Sequence, residues 1–343
     1  VAFSGDKTWS VTRDDVISAA LRKIAVYDAA DGIPAQELTN AATALNALIK
    51  EWAGEGLAIW LRQKTILILN YGQPYYWLGP NPTNDTTNRI WHKAYADTEH
   101  KENTITADLA AAATVVSVTD ANWIDANRKS ANKPAASDQI GIRLDDSTMW
   151  WTTASAVGVS NQITLTSGIP AGRTAASGSR IYSFLVKTSR PVRCLQAIRS
   201  NTDGIDNEIQ LIGRNDYERL TQKTSSGEPN QVCFESFITQ QTSNALHSVV
   251  RVWPAKHSTS VDKIILITEH YPDDLDNPTE NPQFPAEWSN ALIWGLAEEL
   301  SFEYGVDPST RAQISNKAAQ KKAMMFASSD IENAPVSFGV EAQ

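Results

Sequence analysis

Carboxylates are the side chains of this 343-residue chain with the strongest claim to chemistry, because a glycosidase needs only two of them at a suitable separation across a cleft. Glu299 and Glu303 lie four apart at the edge of an apolar helical arc, where burial would raise their pKa values. The plainer reading pairs them with Lys or Arg of a neighbouring helix or subunit. Asp273, Asp274, Asp276 and Glu280 look like a cation loop but lack the central Gly and the ligand spacing of an EF-hand, and so read as a solvated turn. His92, His100, His247, His257 and His270 share no metal-ligand spacing and read as surface or incidental residues. Trp150 and Trp151, with Trp123 nearby in sequence, could stack on a sugar ring. Adjacent strand residues point to opposite faces, however, so one of the pair belongs to the core and the other alone is available as a carbohydrate platform.

Standard catalytic signatures are absent. The chain has no GxxxxGK[ST] loop, no GxGxxG after a strand, no HExxH and no GxSxG. Cys194 and Cys233 form no CxxC and no Cys/His cluster, and read as ordinary buried thiols. No catalytic residue, metal or cofactor is expected. A net charge of −9 argues against a tight nucleic-acid binder, since phosphate affinity comes largely from Lys and Arg, but not against a surface that DNA slides past. No apolar run reaches the length of a membrane span, and the expectation is a soluble protein made in a cytoplasm.

The element that must organise the rest is the stretch Phe284 to Gly305. Pro285 suits a first helical turn, Glu287 favours a helix N-terminus, and Gly305 can supply the left-handed stop. Trp288, Leu292, Ile293, Leu296, Ala297, Leu300 and Tyr304 fill one wide arc, while Trp294 projects from the far side. Such a helix is either enclosed within its own domain or pressed against another molecule.

Upstream, Thr12 caps a helix running to about Tyr27, and a second helix from Pro34 to Gly54 carries Leu38, Ala41, Leu45, Leu48 and Trp52 on one stripe. Strands follow at 64–71 and around Tyr75, Tyr76 and Trp77, then a polar excursion from Gly79 to Asn103. Closely spaced strand signals between 104 and 187 predict an all-β insertion, a barrel or sandwich grown from one loop, with its ends close together. The main domain then resumes with a strand near 208–212, a short helix capped by Asn215 with Glu218 completing the box, and strands at 231–239, 247–253 and 263–270. The last two of these read as a hairpin. A final helix opens at Asp307-Pro308, flanked by Arg311, Lys317, Lys321 and Lys322, with an unpatterned tail from 333 to 343. The expected fold class is α+β: a helical bundle from the N- and C-terminal helices packed with a small antiparallel sheet, plus the all-β insertion. The segments are 1–103, 104–187, 188–332 and 333–343.

Several segments, in order, resemble the head-to-tail adaptors of short-tailed bacteriophages, the tail tubular protein A or packaged-DNA-stabilisation and head-completion family. They are Leu45-Asn46-x-Leu48-Ile49-x-x-Trp52 with Gly56-Leu57-x-Ile59-Trp60, then Asn215-Asp216-Tyr217 with Lys223-Thr224-x-x-Gly227-x-Pro229, then Val252-Trp253-Pro254. Phe284-Pro285-x-Glu287-Trp288 with its helix completes the set. The resemblance implies a structural virion protein: a dodecameric ring below the portal at the head-tail junction, assembled in the bacterial host cytoplasm. Such a ring extends the channel through which double-stranded DNA passes, helps retain packaged DNA, and holds the tail nozzle, with a tail fibre as a further expected partner. On that reading Trp294, Glu298 and Phe302 face another subunit, and Arg311, Lys317, Lys321, Lys322 and Phe338 face the portal. The alternative is a virion-associated glycosidase or carbohydrate-binding tail protein using Trp150 and Trp151.

Overall fold

The computed structural model describes residues 10–27, 32–55, 61–79, 94–96, 100–119, 123–125, 127–158, 161–185, 188–201, 204–238, 246–257 and 261–333. The chain divides into two compact units, a helical one formed by both chain ends (1–61 and 271–343) and a β unit (62–270) carried between them.

In the helical unit, α1 (Arg13–Lys23) begins with a capping box in which Thr12 and Asp15 satisfy each other's backbone N–H groups. α2 (Ala35–Gly54) buries Ala41, Ala42, Leu45, Leu48, Ile49 and Trp52. Pro285 leads into a single 3-10 turn, Ala286–Trp288, which continues as α4 (Ser289–Glu303), and Gly305 leaves that helix at φ 61°. α5 (Pro308–Asn333) is capped by Asp307, whose carboxylate accepts from the backbone N–H groups of Ser309 and Thr310. The core joins Val16, Ile17, Leu21, Leu45, Ile49, Leu292, Leu296 and Leu300, so residues from both chain ends fill one interior. Each fully buried Leu or Ile there contributes on the order of 1.5–3 kcal/mol relative to exposure.

The β unit holds two eight-stranded sheets. The first has the order β2-β16-β15-β13-β12-β18-β1-β3, from β1 (Arg62–Ile68), β2 (Tyr75–Leu78), β3 (Ala94–Ala96), β12 (Pro191–Asn201), β13 (Asp206–Ile212), β15 (Gln231–Ile238), β16 (Leu246–Trp253) and β18 (Val261–His270). β1 and β2 are consecutive in the chain but lie near opposite ends of that order. Leu67 and Leu69 nevertheless share a core with Tyr76, Leu78, Val232, Val250 and Ile264, because the sheet rolls up on itself. Asn70, in the β1–β2 link, donates its backbone N–H to the Tyr76 hydroxyl at 3.0 Å. A short parallel ribbon of β14 (Ser226–Gly227) and β17 (Ala255–Lys256) lies apart from both sheets.

The second sheet has the order β5-β10-β9-β8-β11-β4-β6-β7, from β4 (Lys101–Thr104), β5 (Val115–Ser117), β6 (Trp123–Ile124), β7 (Ser130–Ala131), β8 (Gln139–Arg143), β9 (Met149–Val157), β10 (Gln162–Leu165) and β11 (Arg180–Phe184). A bridge between Ile105 and Val118, with Thr119 N–H donating to the Thr104 carbonyl at 2.9 Å, closes β4 against the end of β5 and makes a barrel. Trp123, Ile140, Ile142, Val116, Ile163 and Ile181 fill its interior. The first and last long strands pair side by side, Lys101 opposite Ser183, so the barrel leaves and rejoins the chain at one place.

The expected fold class is overturned. The protein is mostly β, with two large rolled sheets, and is not a helical bundle packed with a small sheet. The helices have an interior of their own, and the first sheet fills its interior with strand residues alone. That sheet is also not wholly antiparallel: β13 runs parallel to β15, joined through α3 (Arg214–Arg219). β16 and β18 form no hairpin, since β16 pairs with β15 and β2 while β18 pairs with β12 and β1. α3 begins one residue before the expected cap, with Gly213 at its N-cap and no side-chain cap bond.

Close helix approach is visible at Gly295 of α4, where an added Cβ would lie 2.8 Å from Trp52 Cζ2 and 3.2 Å from Leu48 Cδ2. In Gly295→Ala the overpacking cost of about 1–3 kcal/mol opposes a helix-propensity gain of about 1 kcal/mol, so a net loss of about 1 kcal/mol is expected. Urea unfolding should show a lower midpoint at an unchanged m-value.

Candidate assembly surface

α4 packs against α1, α2 and α5, which answers the question posed by its second apolar side: the helix is enclosed by its own chain. Trp294 is half-buried against the helical core, with Lys23 Nζ 5.1 Å from its ring centroid. Glu298 is half-buried and accepts from the Ser315 hydroxyl of α5. Of the three residues read as facing a neighbouring subunit, these two are engaged by α1 and α5. Phe302 is 61% exposed, with the Arg311 guanidinium 4.8 Å from its ring centroid.

α5 has 26 residues and so extends roughly 39 Å at 1.5 Å per residue. Among its described side chains only Ile314 and Ala318 are buried; Met325 and Phe326 are partly buried against the helical core. Ala312, Asn316, Ala319, Gln320, Ala323 and Ala327 are exposed and fall on the opposite side of the helix, and Met324 is 53% exposed. The basic residues divide. Lys322 pairs with Glu55 at 2.8 Å while its ammonium lies 5.6 Å from the Trp52 ring, so its stem covers apolar surface. Lys321 is half-buried and Lys317 exposed. Phe338 lies outside the described residues.

Charge is unevenly divided. Of the 39 acidic and 30 basic residues of the chain, 20 and nine belong to the helical unit, leaving 19 and 21 to the β unit. The acidic excess of the protein is therefore a property of the helical unit. Part of it is stitched locally: Lys50 pairs with Asp274 at 2.9 Å, the Gln283 amide bonds Asp273, and Glu280 accepts from Asn277. Glu299 and Glu303 are both exposed, and the partial desolvation of Glu299, then the charges of Glu51 and Glu298, raise its pKa. Among the described residues no group of three or more His, Cys, Asp or Glu is placed to hold a metal.

The two tryptophans of β9 point to opposite faces, and both are half-buried. Trp150 packs on the barrel core, and Trp151 meets Phe184 edge-on at 5.5 Å, its ring lying over Gly141. The ring expected to be available is thus seated against the chain. Tyr217 of the Asn-Asp-Tyr segment is buried as well. The Arg251 guanidinium lies 5.2 Å from its ring centroid and pairs with Glu235 at 2.9 Å and Glu218 at 3.4 Å, which docks α3 on the first sheet.

Of the five histidines read as surface or incidental residues, two are not at the surface. His257 is exposed and meets the Tyr71 hydroxyl at 2.8 Å. His92 lies outside the described residues, as does the His247 side chain. His100 and His270 are buried. His270 contacts the Thr268 hydroxyl at 2.8 Å and the Ser189 hydroxyl at 2.9 Å, and burial pushes its pKa down to about 4. No motif spacing marks either buried histidine: His100 follows a polar stretch and His270 ends the apolar strand β18.

Two tests follow from this geometry. Phe302→Ala should change stability by no more than about 0.5 kcal/mol, as for an exposed site, whereas Trp294→Ala should cost about 1–3 kcal/mol by thermal unfolding. An unfolded His270 takes up a proton below about pH 6.5, but the folded one does not until about pH 4. Its contribution to stability is therefore complete above pH 6.5 and lost between those values, with a slope of at most about 1.4 kcal/mol per pH unit. His270→Gln should flatten that part of the urea-unfolding profile.

No family model and no curated protein matches this chain.

Proposed function

We propose that the chain is a structural connector without catalysis: a subunit of the head-to-tail adaptor ring below the portal of a short-tailed bacteriophage. In the virion the ring extends the DNA channel, helps retain the packaged genome and offers the platform for the tail nozzle. The observation that carries this reading is α5, a 26-residue helix with only Ile314 and Ala318 buried among its described side chains. Its remaining face, with Phe302 and Met324 beside it, is surface that a lateral neighbour would cover in a closed ring of identical subunits. The acidic excess of the helical unit supports the same reading, since a channel wall must let DNA pass without gripping it.

The reading also draws on the order of the adaptor-like segments along the chain. Tyr217 and Trp288 within them are buried and hold local structure, which is the kind of residue a shared scaffold requires. The contact surface itself is then expected on Phe302, Met324 and the small residues of α5, while Trp294 and Glu298 support α4 from within.

Ala319→Glu and Met324→Glu place charge on that face without touching the buried stripe. Both variants should unfold within about 0.5 kcal/mol of the parent. Each should fail to form rings with purified portal protein in negative-stain micrographs and by analytical ultracentrifugation. Rings formed equally well by both variants would remove α5 from the interface, and a parent protein that stays monomeric with portal would remove the adaptor reading.

A further inference from the structure

The barrel and the first sheet of the β unit meet along a mixed seam. Its apolar part joins Tyr182 and Phe184 of β11 to Ile66, Ile68 and Ile265, with Met149, Trp151, Ile198 and Ile267 packed against them. Its polar part is a buried trio. Glu102 of β4 receives the Lys263 ammonium of β18 at 2.6 Å and His100 Nε2 at 3.1 Å, both on the same carboxylate oxygen. The side chains of His100, Glu102 and Lys263 are 0%, 11% and 8% exposed. The contact between Glu102 and Lys263 runs directly from one sheet to the other.

We infer that His100, Glu102 and Lys263 form an acid-released latch that holds the barrel to the first sheet at neutral pH and frees it on acidification. At neutral pH one carboxylate answers one ammonium, and neutral His100 donates its Nε2–H to the same oxygen. A proton on His100 would place a second cation beside Lys263 in a buried site where Glu102 is the carboxylate both groups touch. Charged groups of the described residues around His100 enter this balance. Burial lowers its pKa most, Glu102 and the more distant Asp125 raise it, and Lys263 lowers it, while the Tyr182 ring of β11 lies at 5.9 Å. The neighbouring Lys101–Asp138 pair, at 3.3 Å, belongs to the barrel alone.

The sign follows from the two groups. His100 is held below its ordinary pKa, so its contribution is complete above about pH 6.5 and is lost as the pH falls. Burial alone raises Glu102, but the hydrogen bond from His100 and the charge of Lys263 overcome it and hold the carboxyl down to about 2; its contribution fades at still lower pH, below its ordinary value near 4.5. Acid therefore weakens the latch through both. Opening at the seam exposes His100, which takes up the proton there. The barrel closes on a core of its own, separate from the seam.

Hydrogen exchange of the full chain, corrected for intrinsic rates and followed by peptide mass spectrometry from pH 7.5 to 4.5, tests the latch. The opening equilibrium of peptides covering β4 and β11 should rise as the pH falls below about 6.5, by at most about tenfold per pH unit, the limit for one proton taken up on opening. Peptides from β9, β10, β15 and β16 should keep their protection over the same range. In His100→Phe, or in His100→Gln if the first variant does not fold, opening of β4 should be independent of pH between 6.5 and 5. A slope that survives removal of His100 would overturn the latch. So would loss of protection in β9 and β10 at the same pH as β4, which would make the trio a prop of the whole fold.

Discussion

A helix that is apolar on more than one side must be surrounded, and α4 meets that requirement by taking neighbours from both ends of the chain. α1 and α2 come from the N-terminal part, and α5 follows it directly. Gly295 lets Trp52 approach the α4 backbone, and Trp52 in turn meets Trp288 edge-on at 6.3 Å. Because the two chain ends are joined in one core, everything between residues 62 and 270 has to leave and return as an excursion from the helical unit. The β unit does so through paired strands, with Arg62 opposite Glu269 and an ion pair of 2.9 Å between their side chains.

Within the β unit the same logic is repeated at a smaller scale. The barrel departs from and rejoins the chain between paired strands β4 and β11, and closes on itself, so it adds no open edge at that junction. The first sheet rolls until β1 and β2, which are consecutive in sequence, close one interior with the middle strands. The chain thus reads as nested excursions, each tied at its neck by an antiparallel pair.

Helix boundaries were the most legible part of the sequence. Thr12 with Asp15 and the left-handed Gly305 are local signals, and local hydrogen bonding decides them. The barrel was legible as a dense series of short strands. β12, by contrast, carries no clean alternation, because bulges shift its register near Arg193, Gln196 and Asn201, although it lies in the middle of the first sheet. The partner of β18 is β1, about 200 residues earlier, and no hairpin rule reaches across that distance. The size of the first sheet was missed for this reason, and with it the fold class. In the candidate surface, Phe302 was legible as an exposed aromatic residue, but periodicity alone placed Trp294 on an open side that α1 in fact covers with Lys23. The buried trio was invisible for a different reason. His100 and Glu102 come at the end of a polar stretch, and only the fold brings Lys263 to them.

The central claim is that this polypeptide is a connector present once for each portal subunit. Quantitative mass spectrometry of purified particles, with labelled peptides of this chain and of the portal, measures that ratio directly. The account predicts one copy per portal subunit. Absence from the particle, or several copies per portal subunit, would contradict it.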